Sequence, residues 1–314
     1  MGVSGPLRVL VTGARGLVGR ALVPVLRARG HSVAVLTRHA AGPGEIPWDP
    51  ARGALEAAAL EGFGAVVHLA GEPIGARWTA ARRFSILESR SGGTRLLATT
   101  LARLEGPPRV LISASAVGWY GDRGEEALDE TSPPGTGFLS EVCRAWEEAA
   151  VPASAAGIRV VHPRIAMVLA SRGGALERML PPFRLGLGGP LGGGRAWWSW
   201  IALDDLLSVL LRLLEDERLS GPVNAVAPGV ARNGDFARTL GRVIGRPALL
   251  PVPAFALRAL LGEMAGGALL ASARVSPARL TAAGHVFRFP DLEGALRQAL
   301  GRATRGEAGA RGSP

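Results

Sequence analysis

The stretch LRVLVTGARGLVGRALVPVLRARG near the N-terminus constrains this chain more than any other. A short apolar run, Val9 to Val11, turns through Gly13, Gly16 and Gly19 into a segment of helical periodicity. In a strand–glycine turn–helix unit the first glycine permits the tight turn, the second lets a pyrophosphate approach the backbone, and the third lets helix and strand pack closely. The helix N-terminus then offers free N–H groups and a positive dipole end to the anion. The spacing here is G-x-x-G-x-x-G, and a second strand, HSVAVLTR, follows the helix. Thr12, Gly13, Arg15, Gly16, Leu17, Val18 and Gly19 are therefore the expected dinucleotide cradle. Pro24 conflicts locally, because it removes a donor inside the helix and should kink it.

An acidic side chain at the end of the second strand would hold the hydroxyls of an adenosine ribose, but the sequence reads Leu36, Thr37, Arg38. An arginine there pairs instead with a ribose 2′-phosphate, and such a charge-assisted contact is worth about 1.5–3 kcal/mol, one to two decades of preference. Thr37 and Arg38 thus point to NADP(H) over NAD(H). In FGAVVHLAGEPIG a buried strand, Ala65 to Leu69, leads into a turn, so Leu69, Ala70 and Gly71 are expected beneath the adenine side of the cofactor. RVLISASAVGWYGD supplies a further strand. Strands that are apolar throughout and alternate with helical segments form a parallel sheet covered on both faces. The expected fold class is α/β, a Rossmann-type doubly wound parallel sheet with a smaller C-terminal substrate-side lobe. Residues 7–170, completed by about 197–230, form the nucleotide domain, and 171–196 with 231–300 form the lobe. Residues 301–314 lack apolar periodicity and are expected to be a disordered tail.

A chain of 314 residues, 47% hydrophobic, has ample material for such a core. Its net charge of +10 comes from 36 basic residues that are all arginine; there is no lysine. The arginines are scattered and aromatics few, so no nucleic-acid partner is expected. A single cysteine makes no internal disulfide and has no metal-ligand spacing around it, which points to a reducing cytoplasm and no metal. MGVSGP is too short and uncharged for a signal peptide. The most apolar window, residues 252–272, carries Arg258, Glu263 and three glycines and reads as a buried amphipathic helix rather than a membrane span.

GARGLVG, VVHLAG, ESRSGGTRLL and SASAVGWYGD, in that order, resemble an extended short-chain dehydrogenase/reductase over about residues 7–300. FLSEVCRAWE, GGPLGGGRAWWSWI, NAVAP and LPVPAFALRALLGE make the chain similar to the atypical epimerase family called short-chain dehydrogenase/reductase family 39U, which is NAD-dependent epimerase/dehydratase-like. The resemblance implies an NADP(H)-binding fold. In working branches of the larger family a Ser, Tyr, Lys and Asn set acts, with tyrosine exchanging the proton and lysine lowering its pKa. Here Ser115 matches the serine, Arg90 stands where asparagine would be, and Leu139 and Cys143 replace tyrosine and lysine. Composition agrees independently, since a chain without lysine holds no Tyr-x-x-x-Lys pair, and its one tyrosine is Tyr120. Losing a positioned acid or base costs about 10²–10⁴-fold in rate.

Two readings of Cys143 stand side by side. A thiolate favoured by a cationic nicotinamide or by Arg90 could act as acid or nucleophile; equally, Leu139, Val142, Cys143, Trp146 and Ala150 form an apolar stripe at helical spacing on which a cysteine packs inertly. Ser115, at the carboxyl end of strand ISAS, either holds a carbonyl oxygen or forms a turn. Arg90 is expected to contact the cofactor. LGLGGPLGGGRAWWSWI is either a flap over a ligand or a loop whose Trp197, Trp198 and Trp200 fill the domain junction. Asp204 and Asp205 are expected to cap the helix LLSVLLRLLE, and His68 and His162 to pack within strands. Two functions follow: an NADP(H)-dependent oxidoreductase or epimerase with a degenerate site, acting by hydride transfer on a carbonyl or sugar-like small molecule with Ser115 and Cys143 or water, or a non-catalytic NADPH-binding sensor. Substrate identity and oligomeric state have no signature in the sequence.

Overall fold

The computed structural model describes residues 5–38 and 42–302, so the tail expected from the sequence falls almost entirely outside the described residues. In chain order the elements are first β1 (Arg8–Thr12), α1 (Leu17–Ala28), β2 (Ser32–Thr37), β3 (Glu45–Asp49), β4 (Ala54–Leu55), β5 (Ala65–His68), α2 (Ala80–Leu101), β6 (Val110–Ser113), β7 (Ser115–Ala116), β8 (Ala127–Leu128), α3 (Phe138–Glu148), α4 (Val151–Ala155) and β9 (Arg159–Ile165). There follow β10 (Met167–Leu169), α5 (Gly174–Arg184), β11 (Trp197–Trp198), β12 (Trp200–Ala202), α6 (Leu203–Glu215), β13 (Gly221–Ala225), β14 (Ala231–Arg232), α7 (Asn233–Ile244), α8 (Ala254–Leu261), β15 (Arg274–Val275), α9 (Ala278–Ala282) and α10 (Leu292–Ala299).

The main sheet runs β13-β9-β6-β5-β1-β2-β3-β4, parallel except for the β3–β4 edge pair. From β1 the chain moves outward through β2 and β3, then returns to place β5 on the other side. The strand order therefore reverses at β1, and the crevice beyond the carboxyl ends of β1 and β5 is where a doubly wound sheet takes ligands.

Period-two alternation sorts the strand residues onto two cores. Val9, Val11 and Val67 face α1 and α6 and meet Leu22, Leu26, Leu206 and Leu210. Leu10, Val66 and Leu111 face the other way, onto Leu97 and Leu101 of α2 and Ala153 of α4. Burial on both faces is why these strands are apolar throughout rather than alternating. Helix α1 runs through Pro24 for four more residues instead of stopping there. Pro24 is exposed, so the carbonyl it leaves without a partner faces water.

A separate core lies beside the sheet, where Leu176 and Leu180 of α5, Trp198, Trp200, Phe236 and Leu240 of α7, and Leu296 of α10 pack together. Trp200 is fully buried and donates to the Gly229 carbonyl, while Trp198 tilts against Phe236. The tryptophans are thus core and junction residues, not a flap. Asp204 and Asp205 also differ from expectation. Neither caps α6; the buried Asp205 carboxylate accepts from the backbone of Arg288 and Phe289, and Asp204 from Gln298, tying the C-terminal segment to α6. The apolar window 252–272 forms α8 and a π-helical turn, Ala265–Leu270, with Phe255 and Leu260 exposed, rather than one buried amphipathic helix. Among the described residues no helix is long and apolar enough to cross a membrane.

A Cβ at Gly19 would lie 2.4 Å from the Gly13 carbonyl oxygen and 2.7 Å from Cα of Ala14, both backbone atoms that cannot swing away. Gly19→Ala is therefore expected to destabilise the fold by about 1–3 kcal/mol through overpacking. Gly266→Ala, where a Cβ meets nothing within 4 Å, should leave the denaturation midpoint nearly unchanged. Urea unfolding of the two variants checks the difference.

Candidate functional site

The cradle opens where β1 ends. Gly13 adopts φ +67, the left-handed region that favours glycine, and a Cβ there would sit 2.7 Å from the Leu69 carbonyl carbon. The turn after β1 and the turn after β5 are therefore in backbone contact, which brings Gly13 and Leu69–Ala70 to one edge of the crevice. Gly16 precedes α1 without any side-chain cap, so the first N–H groups of the helix are not capped by a side chain. Arg15 and Gly16 are exposed, and Leu17 and Val18 half-buried. Arg15 lies 3.7 Å from Glu45. Thr37 is buried at the end of β2, and Arg38 beyond it is exposed.

Beneath the cradle lies a fully buried chain of hydrogen bonds that only the tertiary structure assembles. Thr12 Oγ1 accepts from the backbone N–H groups of Leu69 and Ala70, each at 3.1 Å, so its own proton goes to Nδ1 of His68 at 2.7 Å. His68 must then carry its proton on Nε2 and donate to Oγ1 of Thr94 at 2.9 Å. The imidazole is neutral, and burial pulls its pKa down to about 4. The histidine expected to be packed is packed, and it also pins β1, β5 and α2 together under the crevice.

Arg90 lies half-buried on α2. Its guanidinium donates to the carbonyls of Glu72 and Ile86 and stacks 4.9 Å over Trp146, and a Cβ at Gly71 would meet it at 3.2 Å. It props the turn that carries Gly71 and Glu72.

Helix α3 carries Leu139 and Cys143. Leu139 and Cys143 press against Gly118 in the 3-10 turn Val117–Tyr120, where an added Cβ would meet Leu139 at 3.1 Å and the Cys143 sulfur at 3.5 Å. The Cys143 thiol is 3% exposed and donates to the Ala116 carbonyl at 3.6 Å. Burial first, and then the Glu147 carboxylate, push it up to about 12. Near neutral pH the protonated form is favoured, and the side chain is packed as a buried thiol.

Four residues beyond Cys143 sits Glu147, which the sequence reading passed over. Ser115 on β7 lies in register opposite Arg164 on β9, and Glu147 reaches down from α3 to both. Ser115 Oγ donates to Glu147 at 2.7 Å, and Arg164 clamps the same carboxylate through two nitrogens at 2.9 and 3.0 Å. Arg164 also donates to the Tyr120 hydroxyl, which donates in turn to Asn224 at 2.7 Å. Tyr120 is fully buried, and burial raises its pKa. Arg164, in the middle of the largely apolar run RVVHPRIAMVL, was the signal in the sequence, because a buried guanidinium demands a carboxylate partner. His162, on the same strand, is buried and held neutral chiefly by burial. Among the described residues no group of acidic, His or Cys side chains could hold a metal.

His68 binds fewer protons folded than unfolded between its folded value of about 4 and the ordinary 6.5. Its contribution is complete above pH 6.5 and lost as pH falls toward 4, up to about 3 kcal/mol. His68→Gln should flatten the stability-versus-pH curve across that window by one proton, measured by urea unfolding between pH 4.5 and 7.

Comparison with known proteins follows the same lines. The model of the NAD dependent epimerase/dehydratase family matches residues 9–226, and a Domain of unknown function (DUF1731) matches residues 252–299. The human epimerase family protein SDR39U1 is 39% identical over 297 residues, covering 93% of this chain and 99% of the human protein. The epimerase family protein ML0860 of Mycobacterium leprae is 39% identical over 296 residues, covering 94% and 96%. Among solved structures, human SDR39U1 (isoform2) with NADPH superposes with a TM-score of 0.86 at 38% identity over 93% of this chain and 99% of that one. With relatives aligned over nearly their whole lengths and the family match spanning the sheet from β1 to β13, this chain belongs to the NAD dependent epimerase/dehydratase family.

Proposed function

We propose that this protein binds NADP(H) across the carboxyl ends of β1 and β5 and transfers hydride to or from a carbonyl or sugar-like small molecule. The observation that carries the cofactor reading is the pairing of a Cβ-free cradle at Gly13–Gly19 with an exposed Arg38, and no carboxylate, at the end of β2. The NADPH in the human SDR39U1 structure supports it. In this reading Thr12 to Gly19 surround the pyrophosphate, Thr37 and Arg38 take the 2′-phosphate, Leu69 to Gly71 line the adenine side, and Arg90 supports that turn. Residues 7–170 with 197–230 form the nucleotide half, and 171–196 with 231–300 close over the substrate.

When bound, the nicotinamide ring supplies or accepts the hydride. The chain's own task is the proton. Leu139 has none to exchange, and the buried Cys143 thiol is engaged with the Ala116 carbonyl. Ser115 remains: in the oxidising direction an alcohol proton passes to Ser115 Oγ while the serine proton moves along its 2.7 Å hydrogen bond to Glu147. Arg164 holds that carboxylate in place. The carboxylate thereby gains the proton that the alcohol loses. A second reading, a non-catalytic NADPH sensor, is favoured by one observation: Ser115 is only 2% exposed.

Arg38→Glu should weaken NADPH binding about 10–100-fold while leaving NADH binding little changed, read by calorimetry. Equal loss for both cofactors would remove the arginine's role. In a screen of carbonyl compounds, Ser115→Ala should lower kcat by about 10²–10⁴-fold with NADPH affinity retained, and Cys143→Ser should change kcat less than twofold, a change on the order of measurement scatter. NADPH binding without turnover of any compound would select the sensor.

A further inference from the structure

A cavity of about 340 Å³ opens in the C-terminal lobe, and none of the cradle residues lines it. Its size falls at the lower end of the range of small-molecule pockets, about 300–1,000 Å³. Three helices end around it. Arg184 closes α5, Ile244 closes α7 with Arg246 just beyond, and Leu300 and Arg302 follow α10.

The charge balance there is decided by magnitude. Each helix C-terminus presents unpaired carbonyls equivalent to about −0.5 charge, so three together amount to about −1.5. Arg184, Arg246 and Arg302 bring three positive charges. One of them answers a helix end directly, since Arg302 donates to the Val243 carbonyl near the end of α7. Helix-end neutralisation therefore uses about half of the positive charge and leaves a cationic surplus. Nearby Glu293 does not absorb it, because Arg242 and Arg297 already hold that carboxylate. Among the described residues none of the three cavity arginines is ion-paired.

The floor is apolar. Leu180 is buried, Ile244 and Leu300 are half-buried, and Ser171 adds a hydroxyl at the rim. We propose that this cavity is a second binding site, for a small amphipathic anion whose phosphate or carboxylate head sits on the arginines and Ser171 and whose short apolar tail lies on Leu180, Ile244 and Leu300. The site is independent of the dinucleotide crevice and of whatever reaction occurs there.

Calorimetry on the full-length protein with octyl phosphate and with octanoate tests this. At least one of the two should bind saturably at one site, and the tighter of them identifies the head group. Arg184→Ala with Arg246→Ala, both at exposed positions, should weaken that binding at least tenfold, while NADPH affinity and melting temperature stay as in the parent. The proposal falls if neither probe saturates or if the double variant binds as well as the parent. It falls equally if inorganic phosphate or octanol matches the amphipathic anion, since then either the floor or the arginines would contribute nothing.

Discussion

The close approach of α1 to β1 is the constraint from which the site follows. With no side chain at Gly19, the first turn of the helix sits directly against the backbone of Gly13 and Ala14. With none at Gly13, that turn in turn touches the Leu69 carbonyl at the end of β5. Two strand ends and one helix start therefore converge on a small volume with no Cβ between them. Backbone N–H groups can then face a ligand across van der Waals distance, and a phosphate is the ligand that such groups and a helix dipole favour. The Thr12–His68–Thr94 chain beneath supplies rigidity where glycines cannot, because each of its members is buried and each donor has an acceptor.

On α3 an apolar pair and a polar set lie one turn apart. Leu139 and Cys143 fill the space over Gly118. One turn further, Glu147 and Arg164 form an ion pair with side chains 11% and 3% exposed. Burying two charges is costly, and the pair holds only because hydrogen bonds from Ser115 and to Tyr120 complete it. Removing one partner from such a pair typically costs about 3–5 kcal/mol. The network therefore couples the buried Ser115 to Tyr120 and Asn224, and Asn224 extends it to the Ser276 carbonyl.

Polar contacts tie the later part of the chain to the sheet and to α6. Asp205 binds two backbone N–H groups of the 288–289 segment, and Glu130 accepts from the backbone of Asn224 and Arg279. Arg159 donates to the carbonyls of Leu213, Leu214 and Leu219, completing the C-terminal end of α6 as a cation there should. Acidic residues early in a helix and a basic residue early in a strand look generic in one dimension. Their partners lie 54–94 residues away, and only the fold reveals them.

The sequence by itself determined the sheet, the glycine cradle and the absence of a Tyr-x-x-x-Lys pair. These depend on local pattern: apolar runs, a glycine at each position where a Cβ would collide, and a residue type missing altogether. The apolar stripe of α3 was equally legible, since helical spacing alone places Leu139, Val142, Cys143 and Trp146 on one face. The tertiary structure alone decided that Cys143 is buried as a thiol, that Glu147 accepts the hydrogen bond of Ser115, that Asp205 clamps a distant segment, and that the tryptophans form core. Each of those outcomes depends on burial and on a partner far away in the chain, and neither quantity is encoded in the spacing of neighbouring residues.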